Sequence, residues 1–220
     1  MGHSAVSLLR EMGEARVVAI DTDPEMLRVG ELLTAQEFRN KIEWVRGSGE
    51  NTQLDASSVD AIVVGSAFHW MEPLPTAREF KRVLRPHGVI RIFEYQFPKA
   101  IELPSLNEWI RRQFNLHWKA PDQKPRGTLK ALTAEFSYEN GFQLLTEIKP
   151  KMLIELTPDE LTGHILSQSR VLHFENRLSA DAVIAFRLEL THEVRRQMQN
   201  FSHAKFDFKL SCLEFVKNQA

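Results

Sequence analysis

The segment that most constrains the fold of this chain is residues 16–26, which read Arg16-Val-Val-Ala-Ile-Asp-Thr-Asp-Pro-Glu-Met26. Its β-branched apolar run predicts a short buried strand over 16–21. Asp23-Pro24 then supplies an N-cap and a proline at the first helical position, which predicts a helix from about 24 to 37. A buried strand that ends in an acidic residue and turns into a helix is typical of the second strand of a nucleotide-cofactor fold. Asp21 is then placed to hold a ribose.

Apolar periodicity along the rest of the chain predicts further strands and helices. Strands are expected at 42–46, 60–65 and 88–95, and helices at 4–12 and 75–84, so residues 1–96 form a doubly wound α/β core. Residues 97–127 combine prolines with core-type aromatic side chains, which indicates an inserted helical cap. Residues 128–220 are expected to return to the core, with a helix at 128–139, long strands at 142–156 and 205–216, and helices at about 158–171 and 179–200 between them.

Composition limits the classes of partner. The formal net charge of -1 gives no electrostatic reason to expect nucleic acid. Cys212 is the single cysteine, so an intrachain disulfide and a thiolate metal cluster are excluded, and a reducing, cytoplasmic location is expected. No histidine pair has metal-site spacing, and no apolar segment reaches the length of a membrane span. We therefore expect no metal and no membrane partner.

Two glycine-containing segments follow predicted strands on the same sheet edge as Asp21. Gly47-Ser-Gly-Glu50 follows the strand at 42–46, where glycines allow the backbone to approach a flat ring. Gly65-Ser-Ala-Phe-His-Trp-Met71 follows the strand at 60–65, where ligands of open α/β sheets bind. His69 could act there as a general base, orient an acidic substrate, or pack over the cofactor without chemistry.

Together these motifs resemble those of class I S-adenosylmethionine-dependent methyltransferases. The resemblance rests on Val17-Val-Ala-Ile-Asp21, on Gly47-Ser-Gly-Glu50, on Phe68-His-Trp-Met71 and on Arg82-Val-Leu-Arg-Pro-His-Gly88, in that order. The His-Trp pair and Ser58-Val-Asp60 are similar to a small-molecule branch that includes trans-aconitate methyltransferase-like proteins. The resemblance covers residues 2–95. Beyond them it implies only topology: a Rossmann-like, mostly parallel sheet that ends in an antiparallel hairpin.

The resemblance implies a role for each matching position. The expected S-adenosylmethionine-binding residues are Gly2, Asp21, Thr22, Met26, Ser48, Gly49, Glu50, Gly65 and Ser66. His69 is the candidate catalytic residue, and the candidates for contact with a small-molecule acceptor are Trp70, Tyr95 and Trp109. The alternative for the cap aromatics is ordinary packing. Transfer from a sulfonium mostly requires alignment and exclusion of water, which fits a chain without a catalytic triad.

By the resemblance, the family's first strand and most of its glycine-rich loop would precede Gly2, so we expect this sequence to be an N-terminally truncated form of the fold. We therefore expect weak S-adenosylmethionine binding, and either low stability or direct pairing of the strands at 16–21 and 60–65. Three functions stay open. They are methyl transfer to a small molecule by an impaired enzyme, a non-catalytic binding or scaffold role, and nicotinamide-dependent oxidoreduction. The late antiparallel strands and the Phe-His-Trp segment argue against the third.

Overall fold

The computed structural model describes residues 3–118, 128–199 and 201–218. Their contacts divide them into two compact units. The first unit contains residues 3–94, 128–148 and 211–218, and the second contains 95–118, 149–199 and 201–210. The division after Glu94 lies close to the predicted boundary after residue 96. The predicted third segment, 128–220, contributes to both units.

The helices and strands follow the chain in this order. The N-terminal elements are α1 (His3–Met12), β1 (Val17–Asp21), α2 (Pro24–Leu33), a 3₁₀ helix (Gln36–Lys41), β2 (Ile42–Arg46), β3 (Val59–Gly65), a 3₁₀ turn (Phe68–Trp70), α3 (Pro73–Val83) and β4 (Leu84–Tyr95). They are followed by β5 (Lys99–Ala100), α4 (Pro104–Arg112), a π-helical turn (Gln113–His117), α5 (Leu129–Leu132), β6 (Phe142–Ile148), β7 (Lys151–Leu156), α6 (Pro158–Leu166), α7 (Ser169–Glu175), α8 (Ala180–Gln197) and β8 (Ala204–Lys217).

The strand–turn–helix at the start of the first unit forms as its sequence predicts. Asp23 has extended backbone angles and its side chain accepts a hydrogen bond from the Glu25 N–H at 2.9 Å, with Pro24 at the first helical position. The helix ends at Leu33, four residues earlier than predicted, because Thr34 is extended and its Oγ1 donates to the Gly30 carbonyl at 2.7 Å. A separate 3₁₀ helix then leads into β2.

In the first unit the described strands form two groups. β1 pairs in parallel with β2, and β3 pairs in parallel with β4. β4 neighbours β8, whose C-terminal part pairs antiparallel with β6. The fold is therefore the expected Rossmann-like α/β arrangement with an antiparallel C-terminal pair. Within the described residues β1 and β3 belong to different sheets, so the alternative of direct pairing between them is not seen.

The second unit is built on the N-terminal part of β8. This part pairs antiparallel with β7, from Lys151↔Lys209 to Leu156↔Ala204, and with the short β5. The helices of the unit pack on a core of apolar side chains from several elements. Its buried members include Leu106, Ile110, Trp118, Leu161, Ile165, Val194 and Phe206.

Three further elements differ from the sequence prediction. The strand predicted at 142–156 is two strands, β6 and β7, because Pro150 lacks an N–H and restricts Lys149. The helix predicted at 158–171 is two helices, α6 and α7, because Gln168 has an extended backbone and is the N-cap of α7. Only Leu129–Leu132 of the helix predicted at 128–139 is α-helical, since the chain turns from Thr133 onward.

The core of the first unit positions the segment that follows β3. Phe68 is fully buried and packs edge-on against Phe136 at 5.6 Å between ring centroids. The same cluster contains Phe80 and the strand residues Ile90 and Ile92. A buried Phe68 anchors the 3₁₀ turn, so the backbone of its neighbour His69 is held in place.

Candidate functional site

Asp21 lies at the carboxyl end of β1 with an exposed side chain. Its Oδ1 accepts a hydrogen bond from the Asp23 N–H at 3.0 Å, which sets the side-chain direction. The following Thr22 is exposed, and Met26 is half-buried in the first turn of α2. A separate residue, Asp23, caps the helix, so capping does not account for the carboxylate of Asp21.

The loop after β2 adjoins the end of β1. The Gly47 N–H donates to the Asp21 carbonyl at 3.1 Å. Ser48 and Asn51 exchange two backbone hydrogen bonds, at 3.1 and 3.2 Å, and Ser48 Oγ accepts a further bond from the Asn51 N–H at 3.2 Å. The loop is thus a closed turn at the same sheet edge as Asp21.

Glu50 and Gly49 join this loop to the segment before α3. The Glu72 N–H donates to Glu50 Oε1 at 2.8 Å. Burial acts to raise the pKa of Glu50, but hydrogen bonds from the Glu72 N–H and the Ser48 hydroxyl outweigh it and lower the pKa. Gly49 lies against the Met71 side chain so closely that a Cβ would overlap its sulfur. Both residues therefore have a structural role in joining the two segments, and the cofactor contact predicted for them stays a prediction.

A strained turn follows β3. Gly65 faces the Phe93 ring, and a Cβ at this position would lie 2.6 Å from Phe93 Cζ. Ser66 has φ of 51°, a left-handed conformation that costs a non-glycine residue about 1–2 kcal/mol. Its N–H donates to the Phe93 carbonyl at 2.8 Å, which holds the conformation. Ser66 Oγ is buried and has no hydrogen-bond partner.

His69 is held by a carboxylate from the next strand. Glu94 Oε1 accepts from the His69 backbone N–H at 3.2 Å and lies 2.9 Å from His69 Nδ1. The side chains are 6% and 15% exposed, respectively. His69 Nε2 is buried without a hydrogen-bond partner. The adjacent Trp70 ring is 5.0 Å away between centroids and is 63% exposed.

The sequence did not single out Glu94. The pattern that could have identified Glu94 is the alternation of β4, in which Ile90 and Ile92 are buried. Glu94 lies on the same face, at the carboxyl end of the strand. An acidic residue at an inward position of a strand end indicates a polar partner there. Identifying that partner as His69 requires the pairing of β3 with β4.

The structure places the end of β1, the loop after β2 and the segment before α3 next to one another. Hydrogen bonds and contacts link residues 21–23 to the loop at 47–51, and this loop to Met71 and Glu72. Gly2 lies outside the described residues. Tyr95 and Trp109 belong to the second unit, where Tyr95 lies 6.1 Å from Phe208 and Trp109 lies 6.3 Å from Trp118 between ring centroids.

The second unit contains another buried polar atom without a partner, His164 Nε2. The imidazole lies among the rings of Phe97 and Phe208, at 5.2 and 5.5 Å between centroids. Burial lowers the pKa of His164, which favours the neutral ring. Trp109 packs on the core of the same unit, as expected for a packing residue.

Over the ranges 3–118, 128–199 and 201–218, no group of three or more His, Cys, Asp or Glu side chains is arranged to hold a metal ion. The helices in these ranges are each too short or too polar to cross a bilayer.

Comparison with known proteins agrees with the motifs. Residues 2–92 match a family described as a methyltransferase domain. Over 72 residues the chain is 42% identical to an uncharacterized methyltransferase of Mycobacterium tuberculosis, an alignment that covers 33% of this chain and 28% of that protein. Over 105 residues it is 31% identical to the trans-aconitate 2-methyltransferase of an Azoarcus species, with 47% and 38% covered. The matched region thus spans less than half the length of these relatives.

Similarity to solved structures extends over almost the whole chain. The chain superimposes on a candidate type II methyltransferase from Anaeromyxobacter dehalogenans with a TM-score of 0.63, covering 97% of this chain and 85% of that one. The two sequences are 19% identical, so this likeness concerns the fold alone. Fold and motifs together confirm the resemblance to class I methyltransferases.

Proposed function

We propose that this chain, which carries a methyltransferase domain over residues 2–92, transfers the methyl group of S-adenosylmethionine to a small-molecule acceptor. The observation that carries the proposal is the pair of buried, unpartnered atoms that follow β3, Ser66 Oγ and His69 Nε2. Leaving such an atom unsatisfied costs about 1–3 kcal/mol, so a site that keeps two of them is suited to a ligand that supplies their partners.

We assign the cofactor-binding roles to the carboxyl ends of β1, β2 and β3 and the segments that follow them. Asp21 would hold the ribose, with Thr22 and Met26 beside the adenosine. Ser48, Gly49 and Glu50 would lie at the adenine, and Gly65 and Ser66 near the methionine part. Gly2 stays a prediction outside the described residues. When bound, S-adenosylmethionine supplies an electrophilic methyl group, and these residues hold it and exclude water.

The acceptor is proposed to be a small molecule. The Azoarcus relative is named for methylation of trans-aconitate, which supports this class of acceptor. His69 and the exposed Trp70 are the proposed contacts of the acceptor in the first unit. The acceptor contacts predicted from the sequence for Tyr95 and Trp109 stay predictions. Tyr95 is 37% exposed, which leaves its ring available.

The test is a calorimetric titration of S-adenosylhomocysteine into the intact chain, with NADH and NADPH as comparison ligands. Binding of S-adenosylhomocysteine alone is the expected result, and binding of a nicotinamide alone would contradict the proposal. The same titration measures the affinity. Absence of binding by every ligand would favour the scaffold alternative.

Asp21→Asn provides the residue-level test of this proposal. Asparagine retains an oxygen that can accept from the Asp23 N–H, so the turn is preserved while the charge is lost. A hydrogen bond to a charged group contributes about 1.5–3 kcal/mol, so we expect affinity for S-adenosylhomocysteine to fall roughly 10- to 100-fold. Asp181→Asn, at an exposed position of α8, is the control and should leave the affinity unchanged.

A further inference from the structure

We propose that Glu94 is a positioning residue that keeps His69 Nε2 as a hydrogen-bond acceptor, so that the methyl acceptor is a molecule whose nucleophilic atom carries a hydrogen, as a hydroxyl or an amine. The proposal rests on the function proposed above and specifies the class of substrate. Its evidence is the contact between His69 and Glu94, together with the burial of both side chains.

Glu94 determines where the hydrogen of the His69 ring lies. Glu94 Oε1 already accepts the His69 backbone N–H, and an ionised carboxylate only accepts hydrogen bonds. The Nδ1 atom at 2.9 Å from this oxygen must therefore carry the hydrogen. One carboxylate oxygen of Glu94 thus holds both the backbone N–H and the ring of His69. In a neutral imidazole with its hydrogen on Nδ1, Nε2 is the nitrogen that accepts a hydrogen bond.

His69 Nε2 is buried and has no hydrogen-bond partner. With the hydrogen on Nδ1, the neutral tautomer of the ring presents a lone pair at Nε2. A ligand group that complements it must donate a hydrogen, which an ionised carboxylate cannot do.

The proton and electron balance follows from this geometry. The hydrogen on the acceptor's oxygen or nitrogen passes to His69 Nε2, and the electron pair of the broken O–H or N–H bond stays on that atom. A pair on the same atom forms the new bond to the methyl carbon. The carbon–sulfur bond breaks with its electron pair left on sulfur, so a neutral thioether remains. Glu94 stays ionised and stabilises the imidazolium formed.

Nitrogen NMR of the ¹⁵N-histidine-labelled chain tests the role of Glu94 without any substrate. His69→Gln assigns the His69 signals by their loss. We expect the Nδ1–H form in the unaltered protein and in Glu94→Gln, whose side-chain oxygen can still accept. Glu94→Leu removes the acceptor and should shift the ring toward the Nε2–H form. An Nε2–H form in the unaltered protein, or no change in Glu94→Leu, would overturn the proposal.

The class of acceptor is tested with two probes in the presence of saturating S-adenosylhomocysteine. Phenol carries a hydroxyl donor, and trans-aconitate carries carboxylates. We expect phenol alone to move the His69 Nε2 resonance. A shift caused by trans-aconitate alone, or by neither probe, would overturn the assignment of substrate class. Calorimetry on the same samples reports S-adenosylhomocysteine binding separately, so failure of the proposed function is distinguished from failure of this inference.

Discussion

At the scale of single residues, Glu79 connects α3 to the chain that follows β2. Its Oε1 accepts from the Thr52 N–H at 2.9 Å and from Thr52 Oγ1 at 2.6 Å, and Arg82 Nε donates to Oε2 at 2.7 Å. The hydrogen bond from Arg82, with further ones from Thr52, lowers the pKa of Glu79 to about 2 against the opposing effect of burial. A carboxylate held in this way stabilises the fold only while it is ionised.

Glu79→Gln should therefore destabilise the chain in a pH-dependent manner. The folded pKa lies below the ordinary value, so the stabilisation is complete above about pH 4.5 and is lost as the pH falls toward 2. Since Arg82 is partly exposed, we expect a loss of about 1–2 kcal/mol at pH 7, measured by urea unfolding, and a smaller loss at pH 3. An equal loss at both pH values would contradict this explanation. Glu43→Gln, on the exposed side of β2, is the control.

At the scale of elements, a glycine decides how closely α2 packs on β2. Gly30 is buried, and a Cβ at this position would lie 2.5 Å from Trp44 Cζ3. Alanine favours a helix over glycine by about 1 kcal/mol, but displacing a packed indole costs about 1–3 kcal/mol. The cost of displacing the Trp44 ring is therefore larger than the gain in helix propensity, so glycine is the more stable residue at position 30.

The pair Gly30→Ala and Gly163→Ala tests this balance. Gly163 lies in α6, and a Cβ added there would have no neighbouring atom within 4 Å, so only the propensity acts. We expect Gly30→Ala to lower the free energy of unfolding by about 1 kcal/mol and Gly163→Ala to raise it by about 0.5–1 kcal/mol. Chemical denaturation measures both. Stabilisation by Gly30→Ala would show that the packing at Trp44 adapts.

At the scale of the whole molecule, stability is expected to differ between the two sheets of the first unit. The β1–β2 pair is a two-stranded sheet supported by a small cluster of Ala5, Leu9 and Ile42. β3 and β4 belong to a larger sheet with an extensive buried core. Two-stranded sheets are marginal by themselves, and local stability follows buried apolar contact.

Hydrogen exchange with mass spectrometry tests this difference. We expect amides of residues 17–21 to exchange faster than those of residues 89–93 in the free protein, because their sheet has fewer strands and a smaller core. Under the proposed function, S-adenosylhomocysteine should slow exchange at 17–26 and 47–53 and leave residues 89–93 nearly unchanged. Equal exchange in both strands of the free protein would contradict the first expectation.

Local patterns predicted most of the elements of the first unit. The strand at Val17–Asp21, the N-cap at Asp23 and the strand at Ile42–Arg46 depend on neighbouring residues, and their positions agree with the prediction. The place of Asp21 at the end of β1 is a local feature of the same kind, whereas its role in binding stays a prediction. The sequence also contains Lys149-Pro150, which separates β6 from β7. Whether such a dipeptide ends a strand depends on the hydrogen bonds that the neighbouring strand can still make.

Sequence patterns alone were sufficient to establish the α/β class, the order of the motifs at the sheet edge and the family they resemble. Tertiary contacts were needed to show that Glu94 meets His69, that Gly49 lies against Met71 and that β8 pairs with four other strands among the described residues. The physical reason is separation along the chain. Helix caps and strand patterns involve residues a few positions apart, whereas 25 residues separate His69 from Glu94. Pairing of β3 with β4 is what brings those two side chains into hydrogen-bonding distance.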